Sequence, residues 1–423
     1  MKLIKKVTGV MLCVAVVLSA TACKRDGYGK YGGTYSSSYS TSPDDSSSDS
    51  GSSDDGQDSG HLPIEDVVDD LSVFEMVEDM KIGWNLGNTF DASDCTWLTD
   101  EMQYESGWNG EMTREEHIQL LKDTGFNAVR IPVSWHNHVD GNYKISDKWL
   151  ERVAQVVDWC LSRDMYVIIN IHHDNSQQFM YPSNQYLEQS KKYVSEIWKQ
   201  LSERFKNYSH KLLFESLNEP RLVGHNNEWW IDPYSNDCKE AISCINELNQ
   251  VFVDTVRASG GNNTTRYLMC PGYDASSDGA LNDGYVLPTD PVSQNRNRII
   301  VSVHAYVPYD FALNENGTNY WSASNKNDTD GVTVFMDNLY TKFISKGTAV
   351  IIDEFGARDK NGNLSARTEF AEYYVKAARE HRITCFWWDN NAFESDGENF
   401  GLLDRASNTW RYESIVSALI DNS

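Results

Sequence analysis

From residue 80 onward, short apolar runs alternate with longer stretches in which Leu, Ile or Val recur every three or four positions. The runs fall at 82–86, 128–132, 166–171, 212–217, 267–270, 299–303, 349–352 and 383–388. Near-continuous apolar runs of this length read as strands buried on both faces, and the three- and four-residue spacing reads as amphipathic helix. The helical patterns cover 113–124, 147–163, 186–207, 239–259, 332–346 and 366–381. Between 270 and 299 the chain is polar, so any helix there is expected to be short or absent. Eight strand–helix units predict an α/β fold, a (β/α)8 barrel in a single domain. An open doubly wound sheet is the alternative, and it would carry a Gly-rich phosphate turn after its first strand. The residues at that point are Gly87-Asn88-Thr89-Phe90-Asp91.

The pattern is absent from the first 60 of the 423 residues. Lys2, Lys5 and Lys6, an apolar run at 7–18 and the small residues Ser19-Ala20-Thr21-Ala22 read as an export signal over 1–23. The run is too short to span a membrane. Small residues directly before Cys23 resemble a bacterial lipobox, with Ala20 where Leu is more usual. A lipid anchor on Cys23 is therefore expected, and with it a place on the outer surface of a bacterial membrane. Residues 24–60 are Ser, Gly, Asp and Tyr with almost no aliphatics, a composition that cannot build a core and reads as a disordered acidic tether. The barrel is assigned to 61–423, as a monomer.

The formal charge of −25 argues against nucleic acid as a partner, since phosphate binding needs clustered Lys and Arg. A neutral polymer would not be repelled. Six cysteines follow Cys23 without CxxC or zinc-finger spacing. Cys270 and Cys385 read as core thiols, while Cys238 and Cys244 could pair as a disulfide after export.

Barrel active sites lie at the C-terminal strand ends. The polar and aromatic groups there are Asn85 and Asn88 after the first strand, then Arg130, Ser134 and Trp135, then His172-His173-Asp174, then Asn218-Glu219-Pro220. His304 and Tyr306 follow the sixth strand, Asp353-Glu354 the seventh and Trp387-Trp388-Asp389-Asn390 the eighth; only the fifth is uninformative. Two carboxylates beside aromatic platforms are what glycoside hydrolysis requires: one protonates the leaving oxygen, the other attacks the anomeric carbon or activates water. A lipid-anchored sugar-binding protein would suit the anchor and the tryptophans, but has no use for paired glutamates. The adjacent histidines suggest a metal, yet no third ligand has recognisable spacing and carboxylate-pair chemistry needs none. No cofactor is expected.

Phe126-Asn-Ala-Val-Arg-Ile-Pro-Val-Ser-Trp135, Leu217-Asn-Glu-Pro220, His304-Ala-Tyr306 and Ile352-Asp-Glu-Phe-Gly356 resemble glycoside hydrolase family 5. Gly83-Trp-Asn-Leu-Gly-Asn-Thr-Phe-Asp-Ala92 and Phe386-Trp-Trp-Asp-Asn390 resemble its subfamily 4 endoglucanases. The resemblance implies an endo-acting, retaining β-1,4-glucanase of plant cell-wall glucans, with xyloglucan, mixed-linkage glucan, xylan or mannan as alternative substrates. It implies Glu219 as acid/base, with a raised pKa, and Glu354 as nucleophile. Arg130 would hold Glu354, Asn218 would meet the sugar 2-hydroxyl, and His304 and Tyr306 would stand around nucleophile and sugar. His172 matches a family histidine and Trp388 the sugar platform. His173, Trp135 and Asn85 are expected to line the cleft. Asp353 should alternate to the other side of its strand and pair structurally, as should Glu215 inside the mouth.

Overall fold

The computed structural model describes residues 71–292, 297–394 and 397–423. The export signal, Cys23 and the tether lie outside the described residues.

The eight apolar runs form eight parallel strands closed into a barrel, in chain order. They are β1 (Ile82–Leu86), β2 (Ala128–Ile131), β3 (Tyr166–Asn170), β4 (Leu212–Glu215), β5 (Leu268–Ser276), β6 (Ile299–His304), β7 (Val350–Phe355) and β8 (Thr384–Asp389). Five-residue pairing between β1 and β8 closes the ring. Every strand except the far end of β5 is buried along its whole length, which is why the runs carry no polar alternation. One glycine is dictated by the closure. A Cβ on Gly83 would stand 2.1 Å from the Phe386 ring, which fills the barrel interior there.

Amphipathic helices cover the outside: α2 (Glu115–Thr124), α3 (Asp147–Leu161), α4 (Leu187–Arg204), α5 (Asn236–Ala258), α8 (Lys326–Lys342) and α9 (Leu364–Glu380). The link after β5 holds only the five-residue α6 (Ser277–Leu281), and α7 (Tyr309–Ala312) is a single turn. The strand β5 itself runs past the apolar stretch at 267–270, because its pairing with β6 shifts register between Pro271 and Ser276. A short ribbon of β9 (Leu403–Asp404) and β10 (Thr409–Trp410) precedes α10 (Glu413–Asp421). None of the described helices is long and apolar enough to cross a membrane.

The helix α1 (Val73–Met80) was not read from the sequence. It caps the N-terminal floor with Val73, Met76, Val77 and Met80, packed on Tyr166, Ile168, Leu213, Met269, Ile300, Ile351 and Phe386. Ser72 and Glu75 form a capping box at its start, and Tyr166 Oη donates to Asp79 at 2.8 Å. The six later cysteines are all buried free thiols. Cys238 and Cys244 cannot pair. Both sit on α5, six residues and so about 9 Å of helix axis apart, beyond the roughly 7 Å Cα limit of a disulfide.

Candidate active site

At the C-terminal mouth the site is assembled around one guanidinium. Arg130 is fully buried at the end of β2, and all five of its N–H groups are used. Nε and Nη2 donate to Glu215 at 2.7 and 3.1 Å, Nη1 to Glu354 Oε1 at 2.7 Å and to Asn85 Oδ1 at 3.0 Å, and Nη2 to Asn218 Oδ1 at 2.7 Å. Burial opposes its charge, but Glu215, Glu354 and Asp353 raise its pKa well above the ordinary value. A cation so enclosed is a fixed electrostatic anchor. Burial likewise pushes Glu215 up to about 8, against the pull of Arg130.

The second carboxylate oxygen of Glu354 accepts from Tyr306 Oη at 2.8 Å. Its neighbour Asp353 lies 3.4 Å from Arg130 Nε and accepts from Ser302 Oγ and the Val303 amide. Asp353 therefore pairs structurally as expected, but it does not alternate away, since both carboxylates reach the same guanidinium. The reason is a register shift. Val303 pairs with Ile352, yet His304 pairs with Glu354, so an extra residue of β7 is accommodated at this point.

The same shift puts His304 between the two glutamates. Its Nδ1 is 2.8 Å from Glu219 Oε1 and 3.5 Å from Glu354 Oε2. Nearest oxygens of Glu219 and Glu354 lie within 4.8 Å of each other. Burial disfavours the imidazolium, but Glu354, Asp353 and Glu219 outweigh it and raise His304 well above its ordinary pKa. This corrects the expectation for Glu219. Burial pushes its carboxyl up, but the hydrogen bond and charge of His304, with Arg221 and His173, bring it down to about 2. Glu354 moves the other way. Burial and the facing Glu219 raise it, against His304, Arg130 and Tyr306. Both shifts favour an ion pair between a protonated His304 and an ionised Glu219.

Trp388 is 7% exposed, with its ring parallel to His172 at 5.9 Å between centroids. Gly87 is required beneath it, because a Cβ there would come within 2.8 Å of the indole. His172 is buried and accepts at Nδ1 from the Asn170 side-chain amide, 3.1 Å away, while His173 reaches the cleft beside Trp108. Two expected cleft residues do not line it. Trp135 is fully buried, its Nε1 donating to the Asn170 carbonyl. Asn85 is fully buried under the site, donating to the carbonyls of Asp353, Phe386 and Trp387 while it accepts from Arg130. It supports the arginine. Glu219, His304 and Glu354 also come close enough to share a cation, but those atoms are already engaged by Arg130, Arg221 and Tyr306.

The sequence reading missed Arg221 and Asp274. Arg221 Nη1 lies 3.3 Å from Glu219 Oε2. The signal was available: residues two apart in an extended segment share a side. Asp274 stands at the end of β5, where the apolar run had already stopped.

Residues 90–394 match the sequence profile described as Cellulase (glycosyl hydrolase family 5). Endoglucanase A of Clostridium longisporum is 40% identical over 354 residues, 82% of this chain and 65% of that protein. The cellulase/esterase CelE of Acetivibrio thermocellus is 42% identical over 83% of this chain and 40% of its own length. The chain thus spans less than two thirds of either relative. Among solved structures, a GH5 family lichenase from a Caldicellulosiruptor species superposes with TM-score 0.81 at 54% identity, covering 82% of this chain and 94% of that one. A GH5-4 broad specificity endoglucanase from Ruminococcus champanellensis with bound cellotriose gives TM-score 0.77 at 42% identity, covering 83% and 99%.

Proposed function

The chain belongs to glycosyl hydrolase family 5, and from that footing we propose that it is an endo-acting β-1,4-glucanase that cleaves plant cell-wall β-glucans with retention of configuration. The observation that carries the reading is the pair Glu219 and Glu354, with oxygens within 4.8 Å across the barrel mouth. Retaining enzymes place their carboxyl groups about 5–5.5 Å apart, whereas inverting ones leave about 6.5–9.5 Å for a water.

In this reading Glu354 is the nucleophile, oriented by Arg130 and Tyr306. Glu219 is the acid/base. Substrate entry lowers the polarity around the ion pair of His304 and Glu219. The proton on His304 Nδ1 then passes across the 2.8 Å hydrogen bond to Glu219 Oε1, leaving both partners neutral. Glu219 passes that proton to the glycosidic oxygen as the bond to the anomeric carbon breaks and Glu354 forms a glycosyl ester. Glu219, again ionised, takes a proton from water, the oxygen attacks the anomeric carbon, and Glu354 is released. Trp388 and His172 stand as the platform beside the reacting sugar.

Proton NMR of the first product from a cello-oligosaccharide is expected to show the β-anomer before mutarotation. An α-anomer as first product would exclude this assignment of Glu354. Mixed-linkage glucan is the second substrate reading, favoured by the 54% identical neighbour named as a lichenase. Initial rates on purified cellulose, xyloglucan, mixed-linkage glucan, xylan and mannan rank the choices.

The location is part of the same proposal: export and lipid attachment at Cys23, supported by Lys2, Lys5, Lys6 and the small residues before the cysteine. Cys23→Ala should abolish palmitate labelling and release activity from the membrane fraction; activity that stayed with the membrane would refute the anchor.

A further inference from the structure

Beyond Pro220 the first residue of the loop reaches back to Glu219. Arg221 Nη1 donates to the Glu219 carbonyl at 3.0 Å and lies 3.3 Å from its Oε2. The two oxygens of Glu219 face opposite ways, Oε1 to His304 and the nucleophile, Oε2 to Arg221. On its other sides Arg221 meets Glu228 at 3.3 Å and the face of Trp229, with its guanidinium carbon 4.0 Å from the ring centroid. Trp229 is 51% exposed, so a second ring face remains open.

This loop is clamped by the end of β5. The Asp274 amide donates to the Pro220 carbonyl at 2.9 Å, and Tyr273 Oη accepts from the Leu222 amide and donates to the Asn227 carbonyl. Asp274 and Ala275 are consecutive non-glycine residues with φ of +57° and +45°. Left-handed backbone is unfavourable for both, and such strain persists where the surroundings impose it. It turns the Asp274 carboxyl toward Arg221, Oδ1 lying 3.8 Å from Nε, buried and without a hydrogen-bond donor.

We propose that Arg221, held by Asp274 and Glu228, is a positioning residue that couples Glu219 to the leaving-group end of the glucan through Trp229. The inference rests on Glu219 as the acid/base. A sugar departing from the anomeric carbon lies on the side of Glu219 away from Glu354, the side on which Arg221 stands. There Trp229 offers an open ring face for a pyranose while its other face rests on the guanidinium. The contact of Arg221 with Glu219 Oε2 is long for a charge-assisted bond, because Glu228 and the indole share the same cation, while burial and Glu219 raise the Asp274 carboxyl well above its ordinary pKa. A sugar that loads Trp229 draws the guanidinium toward the indole and frees Glu219 to take its proton. Glu219 is also faced by His304, Glu354, His173 and Glu398, and Arg221 by His172.

The test uses two substrates with the full chain. Cellopentaose places sugars beyond the cleaved bond; an aryl cellobioside with an activated phenol does not. Arg221→Met and Trp229→Ala should each lower kcat/KM about tenfold more on cellopentaose than on the aryl cellobioside, and the double variant should lose no more than the worse single. Removing a cation beside Glu219 favours its protonated form, so the alkaline limb of kcat/KM should move to higher pH in Arg221→Met. Arg221→Lys keeps the charge and should leave that limb in place while still losing rate on cellopentaose. Losses that multiply in the double variant, equal losses on both substrates, or an unmoved alkaline limb in Arg221→Met would overturn the coupling. The acid/base reading fails separately, if Glu219→Gln keeps its rate on cellopentaose. Melting curves distinguish a misfolded Arg221→Met, and Arg221→Lys then carries the substrate comparison.

Discussion

The two ends of the barrel are built from the same eight strands and could hardly differ more. At the mouth, Arg130, Glu215, Asp353, Glu354, His304 and Glu219 crowd into a space from which water is largely excluded. At the floor, α1 lays Val73, Met76, Val77 and Met80 on a disc of strand-start apolar side chains. The floor even has a cavity of about 370 Å³, lined by Phe74, Val77, Val375, Ile383, Arg379 and Arg382 among others, but Glu78 is the one acidic side chain that lines it. Space alone does not make a site. Burying apolar surface stabilises at about 25 cal/mol per Å², whereas burying charges costs energy that only close pairing offsets. The floor contributes stability and the mouth consumes it for chemistry.

Glu354→Gln should sharpen that contrast most. Loss of the proposed nucleophile is expected to lower kcat at least about ten-thousandfold on cello-oligosaccharides. The melting temperature should hold or rise, because one of several facing carboxylates is gone. A large drop in melting temperature would mean that Glu354 is a structural group. Arg130→Met should break the contrast instead. It leaves Glu215, Asp353 and Glu354 without their cation, so it should cost about 3–5 kcal/mol by denaturant titration along with all measurable turnover. Met76→Ala tests the floor alone: about 2–5 kcal/mol less stable, with kcat per folded molecule unchanged.

The smallest effect concerns His138, which belongs to neither end. It stacks on Trp149 at 3.7 Å with both ring nitrogens buried and without a hydrogen bond, Glu101 lying 3.8 Å from Nδ1. Burial lowers its pKa to about 3, and His117 shifts the same way, to about 4. A histidine depressed in the folded state contributes stability that is present above its unfolded pKa of about 6.5 and is lost as pH falls through the folded value. His138→Phe should therefore flatten the acid side of the stability curve, removing about 2 kcal/mol of pH-dependent loss between pH 6.5 and 5. An unchanged slope would show that His138 is already charged.

Much of the floor and walls was legible in the sequence, because parallel strands and covering helices have distinct apolar periods. Even α1 carried its signal: Val73, Met76, Val77 and Met80 follow helical spacing behind a Ser72/Glu75 capping box. The strand β5 was read short because its apolar run stops at Cys270, and only pairing with β6 carries the strand past Pro271. At the mouth, residue types at strand ends pointed to the right side chains but not to their orientation. Trp135 and Asn85 were read as cleft residues, yet which way a strand-end residue faces depends on twist and bulges. The shift at His304 is the clearest case. It has no local sequence mark, yet it brings Asp353 inward and places His304 against Glu219, reversing the pKa expected for the acid.

The buried cysteines have a consequence for how the chain comes to its working form. Burial pushes the thiols of Cys95 and Cys244 up to about 11, and those of Cys160, Cys270 and Cys385 further. So few of these sulfurs exist as thiolate at neutral pH that neither oxidant nor reductant has much to act on. No pair among the described cysteines waits for an oxidoreductase to join it. A molecule assembled this way should keep the same melting temperature with and without dithiothreitol, and stay intact in surroundings rich in free thiols.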